Sequence, residues 1–404
     1  MAKQALEGVK IADFTWVAAG PLTIKGLADH GAQVIHIESS THIEAYRTGP
    51  VYKGKESGIN HSVCFAGYNN NKYGITLNFD HPMGLEIAKR IVKWADIVAD
   101  NFAPGVMKRR GLDYEELRKI KPDIIMISLS NQGQTGPHSS HPAFGFQLTA
   151  LSGFVNITGW PDRAPAVPYG AYTDTIAPRF GAAALMAALD YRRRTGKGQY
   201  LDLSQYEAAL HFLSPLLLDF EVNRRVARRM GNRCSYAAPH GVYPCCGEDR
   251  WCAIAVFSDE EWRSFCEVVG HPEWTKEAKF ATLQSRKENE GDLDRLIAKW
   301  TSNFAAEEVM NRMQAVGVAA GVVETCEDMF RDPQLQYRHH FWQLEHREIG
   351  KYPCNGPAFR LSKTPAELYR AGPCLGQDNE YVYTKILGMP HKEFVELLAE
   401  GAFE

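Results

Sequence analysis

The sequence predicts an α/β protein whose large domain is Rossmann-like. Short apolar runs alternate with segments of helical periodicity through the first half of the chain. The runs "VKIADF", "QVIHIE", "DIVADNF" and "DIIMISL" have the length of buried strands, and "GLEIAKRIVKWA" and "DYEELRKIKP" have the spacing of helices. Strands joined by helices of this length lie parallel in one sheet. With 45% hydrophobic and 23% charged residues, the chain has the composition of a globular protein.

Polar, turn-rich loops follow three of these strands: "FTWVAAGP", "DNFAPG" and "SLSNQGQTGP". Because ligands of parallel sheets bind beyond the carboxyl ends of the strands, we predict that these loops meet at one cleft. The first loop has the single glycine Gly20 where the dinucleotide fingerprint G-x-G-x-x-G has three, although Glu38 does end the second strand. The sequence therefore argues against an oxidoreductase that uses nicotinamide or flavin.

The second half of the chain changes pattern and predicts a smaller α+β domain. Two strands, "GVYPCC" and "WCAIAVF", precede the helices "DEEWRSFCEVVG", "GDLDRLIAKWTSN" and "AAEEVMNRMQAVG". The predicted division is the first part of the large domain at 1–205, a linker at 206–235, the small domain at 236–325, and a return linker with the rest of the large domain at 326–404. We interpret the basic run Arg224–Arg233 as solvated, with contact to ligand phosphates as the alternative.

Charge and composition exclude several classes of function. The formal net charge of -3 gives no electrostatic basis for binding nucleic acid or an anionic membrane. No apolar run reaches the roughly 18 residues of a membrane span, and the N-terminus lacks a signal-peptide pattern, so we expect a cytoplasmic protein. Nine cysteines, an odd number, argue against a disulfide framework. We predict no metal site, because Cys245, Cys246 and Cys252 fall in a strand pair without ligand spacing.

The segment "YTDTIAPRFG" places one acid, Asp174, at the start of an apolar helix. From the residues alone, an N-cap is the favoured interpretation, because aspartate is preferred at that position. A nucleophile is the alternative, since a carboxylate can form a covalent intermediate. Pro178 is compatible with a first helical turn, and the direction of Arg179 is open.

Six segments that follow one another along the chain point together to one family. They are "GVKIADFTWVAAGP", "GAQVIHIE", "NNNKYGITLNF", "DNFAPGVMKRRGLDYEELRKIKPDII", "SLSNQGQTGP" and "DTIAPRFGAAALMAALDYRRRTGKGQYLDLSQYEA". From about residue 7 to 400, the chain resembles the class III CoA-transferases, which include formyl-CoA transferase, carnitine CoA-transferase and acyl-CoA racemases. The resemblance implies an interlocked dimer of ring-shaped chains, each with a Rossmann-like large domain and a small domain.

The resemblance also implies a catalytic role for Asp174, which matches the nucleophilic aspartate of the family. Its carboxylate would attack the thioester of a donor acyl-CoA, and the released CoA thiolate would convert the resulting anhydride to an aspartyl-CoA thioester. An acceptor acid would then take over the CoA. Coenzyme A thioesters are therefore the implied substrates, and no tightly bound cofactor is implied.

The resemblance assigns positions of the binding site as well. The implied CoA contacts are Val17, Ala18, Leu77, Asn101, Phe102, Arg109 and Ala143, and the predicted substrate pocket contains Phe144 and Tyr172. Formyl-CoA transferase has a glutamine where this chain has Ala18, which argues against formyl and oxalyl substrates. Three basic residues of that enzyme are replaced here, by Ser39, Asp80 and Pro142. The candidates for holding the nucleotide end of CoA in their place are Lys72, Arg225 and Arg228.

Alternatives to a homodimeric transferase remain open within the same family. An acyl-CoA racemase is the nearest, but Phe144 stands where racemases have a histidine, and only a shifted alignment brings His141 there. A subunit of a heteromeric CoA-transferase is another, so the predicted partner is a second copy of this chain or a homologous subunit. We expect an acceptor acid larger than formate, of an aromatic or branched kind such as benzylsuccinate, with succinyl-CoA as the donor.

Overall fold

The computed structural model describes residues 4–49, 51–54 and 57–404. Their contacts divide the chain into two compact units. The first unit contains the described residues as far as Val155, together with Val167–Val226 and Gln334–Glu404. The second unit contains Asn156–Ala166 and Ala227–Pro333. The second unit therefore takes in a short segment upstream of Asp174 that the predicted domain boundaries did not include.

Six parallel strands form the sheet of the first unit. They are β1 (Lys10–Asp13), β2 (Gln33–Glu38), β3 (Lys72–Thr76), β4 (Ile97–Asp100), β5 (Ile125–Ser130) and β6 (Tyr200–Ser204). Their spatial order is β3-β2-β1-β4-β5-β6, so the strand order reverses between β1 and β4. A doubly wound sheet has this order, and ligands bind where it reverses. The structure confirms the predicted α/β class and its parallel sheet.

The edge strand β3 is the one member of this sheet that the apolar pattern did not predict. Its sequence "KYGIT" begins with a lysine and contains a glycine, both of which are depleted in strands. Lys72 is nevertheless fully buried, because an ion pair described below neutralises it. Gly74 is required because a Cβ there would come within 2.5 Å of Cγ of Pro373.

Helices connect the strands and cover the sheet. Along the described chain they are α1 (Ala19–Ala28), α2 (Ala45–Thr48), α3 (Val63–Tyr68), α4 (Gly84–Trp94), α5 (Val106–Arg109), α6 (Tyr114–Ile120), α7 (Gly145–Leu151), α8 (Phe154–Ile157), α9 (Thr173–Thr195), α10 (Gln205–Leu210), α11 (Ser214–Asn223), α12 (Asp259–Val268), α13 (Leu283–Glu288), α14 (Glu290–Thr301), α15 (Ala306–Gln314), α16 (Cys326–Arg331), α17 (Pro333–Tyr337) and α18 (His391–Ala399). Short 3-10 turns lie at His211–Leu213, Glu273–Lys276 and Ala278–Phe280, and a π-helical turn at Tyr381–Ile386.

Apolar layers bury both faces of the six-stranded sheet. Every residue of β4 and β5 is buried, as expected for central strands of a parallel sheet. Ile24 of α1 and Leu185 of α9 belong to the cluster on one face, and Ile87 and Ile91 of α4 belong to the cluster on the other. The polar loops that follow the strands therefore project from one edge of a well-packed layer.

Helices α1 and α9 pack against each other with their N-termini toward that edge. α1 starts directly after β1, and α9 leads through a short turn at Gly196 into β6, so both run antiparallel to the strands. The contact is close because Gly181 of α9 has no side chain: a Cβ there would lie 2.8 Å from Cγ2 of Thr23. The first turns of both helices therefore lie at the carboxyl ends of the strands.

The second unit is a small α+β layer. Its antiparallel strands are β7 (His240–Pro244), β8 (Trp251–Ala255) and β9 (Ala319–Val322). Tyr243 and Ile254 pack with Phe265 of α12 and Leu293 of α14 in one apolar cluster. The predicted strand pair and helices are confirmed. Cys252 lies in β8 as predicted, whereas Cys245 directly follows β7, and both are buried as free thiols.

The C-terminal region belongs to the first unit and adds a hairpin that was not predicted. Its strands are β10 (Phe341–His346) and β11 (Gly350–Asn355), which pair antiparallel. The apolar alternation is weak here because a histidine, His346, takes a buried position. The chain ends with the helix α18. Within the described residues, none of the helices combines the length and the apolar character that crossing a bilayer requires.

Candidate active site

Asp174 lies in the first turn of α9, at the edge where the strands end. The helix begins at Thr173, so Asp174 is inside it, and the helix start has no side-chain cap. The interpretation of Asp174 as an N-cap is therefore wrong. Pro178 lies one turn later than expected and has no N–H to donate to the Asp174 carbonyl, so that carbonyl lacks its usual helical partner.

The Asp174 carboxyl group lies against the first residue of α7. A Cβ on Gly145 would come 2.7 Å from Cγ of Asp174 and 2.6 Å from Cβ of Ala171. The hydroxyl of Thr173 donates a hydrogen bond of 3.2 Å to the Gly145 carbonyl and fixes the two segments to each other. Glycine is therefore required at position 145, since any side chain would occupy the space of the carboxyl group.

No cation in the part of the chain that the structure describes neutralises the Asp174 carboxylate. Among the described residues it has neither a hydrogen bond nor an ion pair, and burial alone raises the pKa of Asp174 to about 6. Arg179, whose direction the sequence left open, is exposed to solvent. The phenols of Tyr46 and Tyr68 lie close enough to interact with the carboxyl, and burial raises the pKa of Tyr46 to about 12 and that of Tyr68 above its usual value. Both phenols are therefore neutral donors.

Two side chains hold the loop after β1 in a strained conformation. Val17 has a φ of 69°, which is costly for a β-branched residue. Its N–H donates to Oε1 of Glu44 at 3.2 Å. The N–H of Trp16 donates to Oδ1 of Asn101 at 2.8 Å, and Nδ2 of Asn101 donates to the Trp16 carbonyl at 2.7 Å. The predicted residue Asn101, which follows β4, therefore contacts the loop that contains Val17. Ala18 follows Val17 and is buried at the start of α1.

A buried network of charges joins the carboxyl ends of β1 and β2 to the first residue of β3. Lys72 donates to Asp13 at 2.8 Å and His36 lies 3.1 Å from the same oxygen, while Arg47 makes two hydrogen bonds of 2.6 Å to Glu38. Burial opposes ionisation of Asp13, but the charges of Lys72 and His36 outweigh it and hold the pKa of Asp13 well below its usual range. Lys72 therefore forms a buried ion pair with Asp13 and does not face a ligand. Its proposed role at the nucleotide end of CoA is wrong.

A cavity of about 210 Å³ opens at the same edge of the first unit. Its lining is largely apolar and aromatic and includes Trp16, Leu77, Phe79, Phe102, Met107 and Arg110. Arg110 donates to Asp80 at 2.9 Å, and its guanidinium lies 5.6 Å from the ring of Phe79. The predicted residues Leu77 and Phe102 line this cavity. Arg109 does not line it. Its guanidinium lies beside Gly105, with Nη1 3.2 Å from the point where a Cβ on that glycine would stand.

The remaining predicted residues directly precede α7 and α9. The Ala143 carbonyl accepts a hydrogen bond of 2.5 Å from Asn131, which fixes the loop after β5 to the start of α7. Phe144 is 71% exposed and Tyr172 is 37% exposed. Each of the two helices that meet at Gly145 and Asp174 is therefore preceded by an exposed aromatic ring.

The two basic candidates outside the sheet lie in different units. Arg225 belongs to the first unit, is exposed, and donates to Asp219 at 2.8 Å. Arg228 belongs to the second unit and is also exposed. Their contact with a nucleotide stays a prediction.

Sequence reasoning missed several residues of this region: Glu44, Tyr46, Tyr68, Arg110 and Gly145. The first three lie between β2 and β3, where the sequence has no clear periodicity, and they reach the site through tertiary contacts. Only Gly145 carried a signal, because a lone glycine beside a helix start marks a close approach of two segments.

Comparison with known proteins decides the family. The sequence matches the family model described as CoA-transferase family III over residues 6–379. The chain belongs to CoA-transferase family III. It is 32% identical to the succinyl-CoA–D-citramalate CoA-transferase of Chloroflexus aurantiacus, with 98% of this chain and 97% of that protein aligned.

Two further comparisons agree. The chain is 28% identical to the beta subunit of the succinyl-CoA–L-malate CoA-transferase of Chloroflexus aurantiacus, over 97% of this chain and 96% of that protein. The crystal structure of a CAIB/BAIF family protein from Brucella suis superposes with a TM-score of 0.87 at 28% identity, covering 95% of this chain and 100% of that chain. The predicted enzyme class, a class III CoA-transferase whose substrates are CoA thioesters and organic acids, is confirmed.

Proposed function

We propose that this enzyme transfers CoA from succinyl-CoA to a dicarboxylic acid through a thioester on Asp174. The observation that carries the proposal is the Asp174 carboxyl itself, which lies against Gly145 with neither a hydrogen bond nor a cation among the described residues. A carboxylate that no partner holds is free to attack a carbonyl carbon. Family membership supports the same assignment.

The proposed reaction has four steps. An oxygen of Asp174 bonds to the thioester carbonyl carbon, and the C–S bond breaks to release CoA thiolate and leave a mixed anhydride. The thiolate attacks the aspartyl carbonyl, expels the donor carboxylate and forms the aspartyl-CoA thioester. The acceptor carboxylate then displaces the thiolate to form a second anhydride. The thiolate attacks the acceptor carbonyl and releases Asp174, so that one thioester replaces another without an energy source.

Each attack creates an oxyanion that needs hydrogen-bond donors. The start of α1 supplies candidates, because the N–H groups of a first helical turn have no partner inside the helix. Pro21 contributes none, which leaves the N–H groups of Ala19 and Gly20. These groups lie at the same edge of the sheet as Asp174.

The cavity at the ends of the strands is the proposed site for the nucleotide end of CoA. Its apolar lining by Leu77 and Phe102 suits a purine ring. Arg110 offers a guanidinium for phosphate oxygens, which arginine binds in a bidentate manner. Arg109 remains the position that the family resemblance predicts for this contact.

The phenols of Tyr46 and Tyr68 favour an acceptor that carries a second polar group. Neutral hydroxyls can donate hydrogen bonds to a carboxylate while leaving the charge of Asp174 uncompensated. Relatives named for succinyl-CoA act on citramalate and malate, both short dicarboxylic acids, so we place this class first. An aromatic acceptor such as benzylsuccinate comes second, because the exposed rings of Phe144 and Tyr172 offer it an apolar surface.

We also propose that the active form is a dimer, of two copies of this chain or of this chain with a homologous subunit. The name of one relative as a beta subunit supports the second possibility. Sedimentation of the purified protein, with and without a co-expressed homologue, distinguishes the two forms.

Mass spectrometry tests the mechanism. We expect the enzyme, given succinyl-CoA and a panel of citramalate, malate, glutarate, benzylsuccinate and oxalate, to form a new CoA thioester with one of the dicarboxylates. During turnover, the peptide containing Asp174 is expected to carry the mass of CoA, and hydroxylamine is expected to convert it to a hydroxamate. Wild-type transfer by Asp174→Asn would refute the mechanism. Exchange of an α-proton in deuterated water without CoA transfer would instead establish a racemase.

A further inference from the structure

Glu44 is a buried carboxyl group at this edge with no lysine or arginine beside it among the described residues. The two carboxylates nearby are paired, Asp13 with Lys72 at 2.8 Å and Glu38 with Arg47 at 2.6 Å. No lysine or arginine nitrogen in the described part of the chain lies within 4.0 Å of Glu44, whose side chain is 0% exposed. A negative charge in such a place is costly, and a carboxyl group avoids that cost by keeping its proton.

One carboxyl oxygen of Glu44 lies near polar groups of β2 but too far from them for a hydrogen bond. Its Oε2 lies 4.0 Å from Nε2 of His36, which in turn lies 3.8 Å from Oε2 of Glu38. In the described structure, Oε2 of Glu44 and Nε2 of His36 are buried without a hydrogen-bond partner. These spacings are too long for hydrogen bonds, and longer than the roughly 3.4 Å between ligands on a tetrahedral zinc ion. Oε2 of Glu44 is therefore a buried oxygen that no described donor stabilises, and this favours the protonated carboxyl group.

We propose that Glu44 is a positioning residue that acts in its protonated form. A neutral Glu44 adds no further negative charge beside the ion pairs Asp13–Lys72 and Glu38–Arg47. Its Oε1 then accepts the N–H of Val17 and holds the strained turn that opens α1. The carboxyl of Glu44 also interacts with Tyr46, the neighbour of Asp174. The inference rests on the proposed function, in which this turn presents the oxyanion donors.

Ionisation of Glu44 is expected to disrupt this arrangement. Burial, reinforced by the charge of Glu38, raises the pKa of Glu44 to about 8, although the Val17 N–H, Arg47 and Lys72 act in the opposite direction. Above that pH the carboxylate would repel Glu38 and move away from it, so the Val17 N–H would lose its acceptor. The groups that face Glu44 are His36 and Glu38 on β2, Tyr46 and Arg47 on α2, Lys72 on β3 and the N–H of Val17.

The variant Glu44→Gln tests the proposal through the pH profile of kcat. Glutamine keeps an oxygen for the Val17 N–H but cannot ionise. We expect wild-type kcat to fall by about tenfold per pH unit above pH 8, and the glutamine variant to lack this decline. Glu44→Ala should lose about tenfold or more in kcat at every pH, with a KM for acyl-CoA within about threefold of wild type. The exposed Glu327→Gln is the matched control and should match wild type. An alkaline decline that persists in Glu44→Gln would overturn the proposal.

A second measurement needs no substrate. A folded-state pKa raised from 4.5 to about 8 means that the stabilisation by neutral Glu44 is full at low pH and is lost as the pH rises between these values. The Tm of wild type minus that of Glu44→Gln should therefore decrease between pH 4.5 and about 8 and then level off. A difference that does not change with pH would refute a protonated Glu44, whatever the transfer assay shows. The measurement thus separates failure of this inference from failure of the proposed function.

Discussion

Asp13 and Asp174 are two aspartates of the same unit, both shielded from water, with opposite electrostatic surroundings. Asp13 has Lys72 and His36 beside it, and its pKa is held well below the usual range. Asp174 has no cation beside it within the described ranges, and its pKa is raised to about 6. Burial acts in the same direction on both carboxyl groups, so the difference comes from their partners. A partnered carboxylate stabilises the fold, whereas an unpartnered one costs stability and is available for chemistry.

The largest effect that tests this comparison is the loss of transfer activity in Asp174→Asn. Asparagine has nearly the same shape but cannot form the anhydride, so we expect kcat to fall by about a thousandfold or more. The measurement is the rate of acyl-CoA formation from succinyl-CoA by mass spectrometry. Asp190→Asn, at the exposed end of the same helix, is the control and should keep wild-type kcat. Equal kcat values for Asp174→Asn and Asp190→Asn would contradict a chemical role for the unpartnered carboxylate.

The next effect is on stability, in Asp13→Asn. Removal of this carboxylate leaves Lys72 buried without its counter-ion, which we expect to lower the free energy of unfolding by about 3–5 kcal/mol. Urea denaturation followed by circular dichroism gives this value. The contrasting change, Asp190→Asn, breaks only exposed pairs with Arg193 and Arg194, and should leave the midpoint unchanged. A stable Asp13→Asn protein would show that the network is not what holds these strand ends.

A smaller loss of activity is expected for Gly145→Ala. The new Cβ would come 2.7 Å from Cγ of Asp174, so the carboxyl group must move. A displacement of about 1 Å at the reacting atom costs about tenfold to a hundredfold in kcat. Gly26→Ala serves as the control, since nothing lies within 4 Å of the Cβ position of Gly26 in α1. If Gly145→Ala keeps full activity, the close contact with Asp174 has no part in positioning it.

The smallest effect is a gain in stability in Asp174→Asn. The folded-state pKa of about 6 exceeds the usual 3.8, so the folded protein binds more protons than the unfolded chain, and wild-type stability falls as the pH rises between these values. Asparagine removes this loss. Thermal melts should therefore show a more stable variant at pH 8, by on the order of 2 kcal/mol, with a smaller gain at pH 4.5. A gain that is equal at both pH values would mean that Asp174 is not strained in its charged form.

The sequence predicted the sheet better than the site. The strands β1, β2, β4 and β5 consist of apolar runs, and these follow directly from the need to bury both faces of a parallel sheet. The strands β3 and β10 do not show an apolar pattern, because Lys72 in β3 and His346 in β10 take buried positions. Such residues are buried only when distant partners neutralise them, and one sequence does not show those partners.

The site depended on resemblance and on tertiary contacts. From the residues alone, Asp174 was interpreted as an N-cap, and the family motif was needed to suggest a nucleophile. Arg109 was expected at the nucleotide site, but its neighbour Arg110 lines the cavity, because one residue turns a helical side chain by about 100°. Glu44 reaches Val17 across 27 residues, and no local pattern indicates such a contact.

The contact between Gly181 and Thr23 would make the position of the Asp174 carboxyl sensitive to residues that lie two helical turns away. Asp174 precedes Gly181 by seven residues, about 10 Å along the helix axis. A tilt of only about 6° at that contact would displace the carboxyl group by about 1 Å, a shift that can cost about a hundredfold in rate. Reaction rate in this enzyme should therefore respond to the bulk of the residues at 23 and 181. A bulkier residue at 181 would be tolerated only with a smaller one at 23.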